Sequence, residues 1–235
     1  MAKLPILMYH KISASQSEGL IISASKLEEQ FQYLSKEGFR SYHLSELMDL
    51  KKLPSKKSVV ITFDDGYVSQ LEFAVPLLEK YHLKATFFIP LKFLGQTDAW
   101  NTPSYPLMTA GQLKSLNPAF IELGYHSHAH QKYNELSLSE ITEDTRNAFE
   151  TASKNELLLT STLAYPYGKF PRKNPEKEQF FNHLKEQQFT YGLRIGNRVN
   201  HFPFKNPFEI NRIDVKGEYS LKKFQRKLKF GKLIY

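Results

Sequence analysis

Residues that could bind a metal ion occur in two short clusters of the sequence. Asp64 and Asp65 are adjacent and precede a glycine, and His126, His128 and His130 fall within five residues. Three of the eight histidines of the chain therefore lie in one short segment. Two imidazoles and one carboxylate suit Zn²⁺ and leave coordination positions open for water. The clustering favours a metal centre over a basic loop that happens to be rich in histidine.

The spacing within each cluster assigns its residues different tasks. In an extended chain adjacent side chains point to opposite sides, so Asp64 and Asp65 suit one metal ligand and one base better than joint chelation of one ion. A plain Asp-Gly turn after a strand is the alternative. His126 and His130 would share a face if their segment turned helically, and His128 would then point away, towards solvent or behind the ligands.

Strand-like and helix-like stretches alternate along the whole chain. The predicted strands cover residues 4–9, 39–43, 58–63, 84–90, 120–124, 159–165, 189–193 and 209–215. Amphipathic stretches between them predict helices, one of them at about residues 68–80. Capping boxes predict three helix starts, at Ser25 to Glu28, at Thr109 to Gln112 and at Ser137 to Glu140. About eight strands, most followed by a helix, favour one α/β domain over residues 1–235 that folds as a closed or nearly closed (β/α) barrel of parallel strands. Residues 92–107 predict a long loop over one end.

The chemically interesting residues follow the predicted strands. In a (β/α) barrel the C-terminal ends of the strands meet at one face, where catalytic residues gather. His10, the two aspartates, the histidine cluster and the segment Pro166-Tyr167-Gly168 each come directly after a strand. We therefore expect these four stretches to line one pocket, with the aromatic residues Tyr67, Trp100 and Tyr105 as candidate faces for sugar rings.

Three motifs resemble those of carbohydrate esterase family 4, the polysaccharide deacetylases with a NodB homology domain. Residues 62–67 read Thr-Phe-Asp-Asp-Gly-Tyr and are similar to its first motif, TFDDG. Residues 126–130 read His-Ser-His-Ala-His and match its second, H-[ST]-x-x-H. Residues 164–168 resemble the third, R-x-P-Y-G, with Ala164 in place of the arginine. The Leu-Met-Tyr-His of residues 7–10 resembles the branch that deacetylates poly-N-acetylglucosamine.

The resemblance implies a distorted (β/α) barrel of the NodB type with about seven to eight parallel strands. It also implies that Asp65, His126 and His130 bind a divalent metal ion. Zn²⁺ is the leading ion for these ligand types, and Co²⁺, Ni²⁺ and Fe²⁺ are alternatives.

The resemblance further implies the catalytic roles. Asp64 would be the general base, the backbone N–H of Tyr167 would help to bind the oxyanion, and His10 would be the general acid. In the family the third-motif arginine orients the base, and that arginine is missing here. We expect Arg212 to reach Asp64 instead, with pairing to Asp214 or exposure to solvent as the alternative. The fourth and fifth motifs, D-x-x-D-W and L-x-x-H, have no clear match.

The activity implied by the resemblance is removal of N-acetyl groups from N-acetylglucosamine-containing polysaccharide, such as poly-N-acetylglucosamine exopolysaccharide or peptidoglycan. A metal-dependent hydrolase of a small non-sugar amide is one alternative. A carbohydrate- or nucleic-acid-binding barrel with weakened catalysis is another, although the chain has no recognisable nucleic-acid motif. We expect an N-acetylated glycan as substrate, no nucleic acid and no obligate protein partner.

The amino-acid composition excludes several classes of protein and of active site. The chain is 41% hydrophobic and 24% charged, which is typical of a globular domain and excludes a disordered tail. It has no cysteine, so disulfides, thiolate metal sites and a cysteine nucleophile are excluded.

The net charge of +8 is partly concentrated near the C-terminus, where residues 216–235 hold seven basic residues and one acidic residue. An amphipathic helix is predicted at about 219–229. We expect it to dock on the barrel with a basic outer face, and contact with an anionic cell-wall polymer or membrane surface is the sharper alternative. The first residues lack an export signal, which predicts a cytoplasmic protein if the chain is complete and an extracellular or cell-surface one if a segment precedes it.

Overall fold

The computed structural model describes residues 2–232 of the 235-residue chain. The strands within these residues are β1 (Ala2–Leu4), β2 (Ile6–Tyr9), β3 (Lys11–Ser13), β4 (Ile21–Ser23), β5 (Arg40–Ser41), β6 (Ser58–Asp64), β7 (Ala85–Ile89), β8 (Ile121–Tyr125), β9 (Leu159–Ala164), β10 (Tyr191–Ile195), β11 (Asn200–Phe202) and β12 (Ile210–Asp214). The α-helices are α1 (Ala24–Lys36), α2 (Leu44–Met48), α3 (Val75–Lys80), α4 (Ala110–Lys114), α5 (Leu138–Lys154), α6 (Glu176–Glu186) and α7 (Leu221–Phe230).

Parallel strands close into a seven-stranded barrel. The order around it is β2, β6, β7, β8, β9, β10 and β12, and β12 pairs back with β2. Asp214 of β12 lies opposite Met8 of β2, and Tyr9 of β2 lies opposite Phe63 of β6. The predicted (β/α) barrel is therefore confirmed. The predicted strand at 39–43 shrinks to the two residues of β5, which pair only with the start of β6.

Alternation along each strand divides the barrel into an inner and an outer face. In β6, Val60 belongs to the apolar cluster that fills the barrel, whereas Ile61 and Phe63 pack outward with the helices. Because side chains alternate with a period of two, Thr62 and Asp64 share the inner face with Val60. The last inner residue of this buried strand is thus a carboxylate, and it stands at the C-terminal mouth of the barrel.

Helix starts show where local sequence signals succeed and fail. The predicted caps Thr109 and Ser137 both form capping boxes, and they precede α4 and α5. The capping box predicted at Ser25 is wrong. The cap of α1 lies two residues earlier, at Ser23, whose side chain accepts a hydrogen bond from the Lys26 N–H. The predicted helix at 68–80 begins as a π-helical stretch, Gln70–Ala74, before α3.

Two short pairings were not predicted. Strands β3 and β4 form a parallel pair beside the mouth, and β1 pairs antiparallel with β11 at the opposite end. The segment 92–107 is a connection without a helix or strand of its own beyond a turn of 3₁₀-helix at Leu91–Phe93, and it is tied down by single bridges such as Tyr67↔Leu107.

The basic helix α7 docks on the outside of the barrel. Phe224 and Leu228 are buried, and the ring of Phe224 meets the ring of Tyr33 of α1 edge to face at 6.3 Å. The cations of α7 therefore lie on the side away from the core. None of the helices described here is both long enough and apolar enough to cross a membrane.

Replacing Ser23 by alanine removes the side-chain acceptor at the start of α1 and should lower the free energy of unfolding by about 1 kcal/mol. Ser25→Ala is the matched control, because Ser25 is a residue of the first helical turn that caps nothing, and it should change stability by less than about 0.5 kcal/mol. Urea unfolding followed by circular dichroism measures both. A larger loss for Ser25→Ala than for Ser23→Ala would return the cap to Ser25.

Candidate active site

A left-handed turn at the end of β6 brings both aspartates to the pocket. Asp65 has a φ of 76° and Gly66 a φ of 71°, so the chain is not extended where the sequence argument assumed it was. A side chain at Gly66 would also press on Ile89, because an added Cβ would lie 2.9 Å from that side chain. The glycine of the motif is thus needed both for its backbone conformation and for its lack of a side chain.

The histidine segment reaches the same pocket without forming a helix. Residues 126–130 are irregular, and Ser127 and His130 have left-handed φ values of 57° and 55°. The expected convergence of His126 and His130 is observed, but the helical reason for it is wrong. His128 points away from the pocket and its Nε2 lies 3.2 Å from Thr151 Oγ1.

Asp144 of α5 fixes this irregular loop. Its buried carboxylate accepts hydrogen bonds from Ser127 Oγ at 3.0 Å and from the N–H groups of His128 and Ala129 at 2.9 and 3.1 Å. Sequence reasoning missed this residue. The available signal was a carboxylate within the buried stripe of α5, between Ile141 and Ala148.

Asp65, His126 and His130 form a compact group with the donors that a metal ion needs. Their ligand atoms lie within 4.8 Å of one another and all three residues are buried. Asp65 Oδ1 lies 3.4 Å from His126 Nε2 and 3.2 Å from His130 Nε2, and it has no hydrogen bond of good geometry within the described residues. A buried carboxylate oxygen without a partner, facing two imidazole nitrogens, fits a divalent ion bound between the three.

The protonation of the two histidines is governed by their surroundings. His126 Nδ1 lies 2.8 Å from the carbonyl oxygen of Ala164 and donates to it, which leaves Nε2 free to bind an ion. Burial works against charge on His126, but the nearby carboxylates of Asp64 and Asp65 outweigh it and raise the pKa of His126. Burial lowers the pKa of His130, which favours the neutral imidazole that metal binding requires.

Asp64 is held by a buried arginine. Arg212 of β12 is 0% exposed, and its Nη1 and Nη2 donate to Asp64 Oδ1 and Oδ2 at 2.5 and 2.7 Å. Burial alone would raise the pKa of Asp64, but the Arg212 guanidinium outweighs that effect and lowers the pKa, so the carboxylate is ionised at neutral pH. The alternatives for Arg212 do not occur, because Asp214 pairs with Lys216 at 2.8 Å.

His10 and Tyr167 complete the expected pocket. His10 Nε2 lies 3.8 Å from Asp64 Oδ2, and His126 Nε2 lies at the same distance from that oxygen. Tyr167 has a left-handed φ of 56° and stands at the rim with 45% of its surface exposed. All the predicted catalytic and metal-binding residues line one cavity of about 260 Å³ at the C-terminal face of the barrel. Of the three aromatic candidates, Tyr67 and Trp100 line it and Tyr105 does not.

Two further contacts at the mouth were not anticipated. Gln70 donates its side-chain N–H groups to the carbonyl oxygens of Asp64 at 2.6 Å and His10 at 2.9 Å, and so ties the two strand ends together. The ring of Trp100 stacks on the imidazole of His130 with centroids 3.9 Å apart. The sequence suggested Trp100 as a sugar-stacking residue but gave no sign of its contact with a metal-ligand candidate.

Solved structures share this fold. The Streptococcus pyogenes deacetylase PplD superposes with a TM-score of 0.77 at 22% identity, over 97% of this chain and 98% of that one. IcaB from Ammonifex degensii superposes with a TM-score of 0.78 at 23% identity, over 97% of each chain. At these identities the likeness establishes the barrel alone, and the barrel is of the NodB type.

Sequence comparison identifies the family. YxkH of Bacillus subtilis (strain 168), whose name assigns it to the polysaccharide deacetylases, is 32% identical over 176 residues, which are 72% of this chain and 58% of that protein. The poly-beta-1,6-N-acetyl-D-glucosamine N-deacetylase of Staphylococcus aureus (strain MRSA252) is 27% identical over 218 residues, 88% of this chain and 71% of that protein. The matched part of the chain therefore covers only 58% of the length of the Bacillus relative, which is less than two thirds. The polysaccharide deacetylase family pattern matches residues 51–184. With more than half of its length matched and the motif carboxylates and imidazoles gathered in one cavity, the chain belongs to the polysaccharide deacetylase family.

Proposed function

We propose that this protein hydrolyses the N-acetyl groups of an N-acetylglucosamine-containing polysaccharide and releases acetate. The proposal rests on one observation: the group Asp65, His126 and His130 lies in the same cavity as the ionised carboxylate of Asp64. A carboxylate base next to a candidate metal site is the arrangement that amide hydrolysis by water requires.

The polysaccharide deacetylase family is metal-dependent, and we propose Zn²⁺ as the ion held by Asp65, His126 and His130. One carboxylate and two imidazoles are ligands that Zn²⁺ accepts, and Co²⁺, Ni²⁺ or Fe²⁺ would also bind to them. The bound ion would polarise the amide carbonyl and increase the acidity of water.

Asp64 takes the proton of the attacking water. Its carboxylate is ionised and its two oxygens are fixed by Arg212, so the base is ready without rearrangement. The water oxygen forms a bond to the carbonyl carbon while the proton passes to the carboxylate. The backbone N–H of Tyr167, at the rim, would donate to the developing oxyanion.

His10 gives a proton to the leaving nitrogen. Its Nε2 lies 3.8 Å from Asp64 Oδ2, so an amide bound next to this pair would meet the base and the acid side by side. Cleavage of the carbon–nitrogen bond then yields acetic acid, which ionises to acetate, and a glucosamine amine. Asp64 is left with the proton taken from water and His10 without the proton given to nitrogen, and transfer of that proton from Asp64 to His10 restores both groups.

The substrate class follows from the relatives and the pocket. The Staphylococcus aureus relative is named for poly-beta-1,6-N-acetyl-D-glucosamine, and we propose such a polymer as the leading substrate, with peptidoglycan second. The ionised Asp64 with its buried arginine argues against a barrel that only binds glycans, because a binding site has no use for a positioned base. A small non-sugar amide remains the rival substrate, and oligomer length dependence would separate the two.

Other expectations stay predictions. These are a single deacetylase domain over residues 1–235, contact of α7 with an anionic surface, and the absence of an obligate protein partner.

Asp64→Asn keeps the size of the side chain but removes the base, so kcat for acetate release from N-acetylglucosamine oligomers should fall by about 10²–10⁴-fold. Removal of the metal with a chelator should abolish release, and added Zn²⁺ or Co²⁺ should restore it in the wild type only. Exposed Asp49→Asn is the control and should retain full activity. Metal-independent release, or an active Asp64→Asn protein, contradicts the proposal.

Arg212→Met leaves the buried Asp64 carboxylate without its counter-charge and should cost about 3–5 kcal/mol of unfolding free energy. The same substitution in an Asp64→Asn background should cost clearly less, because the unpaired charge is then absent. Lys216→Met, which removes a half-exposed partner of Asp214, is the control at about 0–1 kcal/mol. A double-mutant cycle by urea unfolding measures the coupling, and additive losses would show that the pair does not stabilise the barrel.

His10→Gln should lower kcat for the amide by about 10²–10⁴-fold, since the leaving amine needs a proton. The same variant should hydrolyse p-nitrophenyl acetate nearly as well as the wild type, because p-nitrophenolate leaves without one. Asp64→Asn should lose both activities. Parallel loss of both reactions in His10→Gln would assign His10 a structural role instead.

A further inference from the structure

The two histidines of the metal-binding group are oriented in different ways. The ring of His126 is fixed by the hydrogen bond from its Nδ1 to the carbonyl of Ala164. The Nδ1 of His130 is buried and has no hydrogen-bond partner within residues 2–232. Histidines that bind metal ions almost always use the second nitrogen in such a bond to hold the ring. Among the protein groups described, packing and not a hydrogen bond orients the ring of His130.

Aromatic packing surrounds the His130 ring. The indole of Trp100 lies nearly parallel to it, with centroids 3.9 Å apart and an interplanar angle of 23°. Tyr167 lies at 4.8 Å with a tilt of 58°. The indole is held from behind by the edge of Phe93 at 5.1 Å. A ring stacked this closely cannot rotate about its χ angles without breaking the contact, so the position of Trp100 sets the direction of His130 Nε2.

Trp100 is carried by a loop that closes around one buried carboxylate. Asp98 is 0% exposed and accepts hydrogen bonds from the Tyr67 hydroxyl at 2.8 Å, from Asn101 Nδ2 at 2.5 Å and from the backbone N–H of Tyr105. The Asp98 N–H donates in turn to the Tyr105 carbonyl at 3.0 Å. Residues 98–105 are thereby fixed as one unit, with Trp100 inside it.

The buried charge of Asp98 depends on the hydrogen bonds of the closed loop. Within residues 2–232 no cation forms an ion pair with the Asp98 carboxylate. The Lys11 ammonium interacts with Asp98 only at longer range and sits over the Tyr105 ring, 4.1 Å from its centroid. A buried carboxylate without an ion pair is stable only if hydrogen bonds satisfy it. Its three donors are supplied by the loop and by Tyr67, the residue that follows the aspartate motif, so the charge is solvated only when the loop is closed.

We propose that Asp98 is a positioning residue for metal binding: by closing the loop 98–105 it presses Trp100 onto His130 and so fixes a ligand that lacks a hydrogen bond of its own. The inference rests on the proposed metal site, and it adds a residue that acts through two others and touches neither ion nor substrate. Trp100 would then orient a metal ligand, in addition to any stacking on sugar rings.

The chain provides its own probe for this arrangement, because Trp100 is its single tryptophan. Fluorescence excited at the red edge of the absorption band, where the 13 tyrosines absorb little, therefore reports on this loop alone. In metal-free Asp98→Asn protein we expect emission shifted to the red and greater quenching by acrylamide than in the wild type, since the indole loses its packed position. Bound Co²⁺ should quench the emission strongly in the wild type and less in the variant.

Equilibrium dialysis with Zn²⁺ measures the consequence for the ion. Asp98→Asn and Trp100→Ala should each weaken Zn²⁺ binding by about 10–100-fold, as loss of a group that orients a ligand does. Trp100→Phe keeps an aromatic face and should stay close to the wild type. Glu122→Gln is the matched control: Glu122 is another carboxylate that accepts several hydrogen bonds, from Ser45 and Thr86, and its loss should lower stability without altering emission or Zn²⁺ affinity.

The outcomes separate this inference from the function on which it rests. Wild-type emission and affinity in Asp98→Asn, or wild-type affinity in Trp100→Ala, would overturn the role of Asp98 while leaving the metal site intact. A wild-type protein that binds neither Zn²⁺ nor Co²⁺ would contradict the proposed function itself, and this inference would fall with it.

Discussion

The buried pair of Asp64 and Arg212 is the interaction on which the rest of the site depends. The two residues belong to β6 and β12, which are not neighbours, because β2 lies between them in the barrel. Their bidentate contact therefore exists only when β12 has paired with β2 and β2 with β6. A buried arginine is costly unless it meets such a partner. Closure of the barrel therefore also fixes Asp64, the proposed base.

Left-handed backbone conformations beyond the strand ends direct the candidate site residues into the mouth of the barrel. Left-handed residues occur at Asp65, Ser127, His130 and Tyr167, each just beyond a strand. Such conformations are unfavourable for residues with a side chain and persist only where the surroundings enforce them. Here Gln70 bridges the ends of β2 and β6, and Asp144 gathers the N–H groups of the histidine loop. Buried amide and carboxylate groups thus maintain the strained turns that aim the ligands.

The sequence predicted what is periodic or local, and it missed what is contributed by distant segments. Alternating strands and helices were enough for the barrel, and the motif residues were enough to place Asp64, Asp65, His126 and His130 in one cavity. The reason given for the histidine spacing failed, because a helix is one way to bring positions four apart together and two left-handed turns are another. Asp144 escaped notice because its partners lie on a loop whose approach depends on tertiary packing. Asp98 escaped notice because two of its donors, Asn101 and Tyr105, lie in its own irregular loop, where no periodic pattern marks them, and the third, Tyr67, is distant in sequence.

The substitution of the third-motif arginine shows that such a site is defined in space and not along the chain. Ala164 and Arg212 belong to different strands, yet Ala164 packs in the same inner layer that Arg212 crosses, where the guanidinium lies 5.5 Å from the centre of the Phe88 ring. The position is still not idle, because the Ala164 carbonyl, which any residue would supply, holds His126. The arginine that contacts Asp64 thus comes from another strand, while the backbone contact of residue 164 with His126 is kept. A comparison of motifs alone would score the arginine as missing, although the Asp64 carboxylate still has an arginine partner.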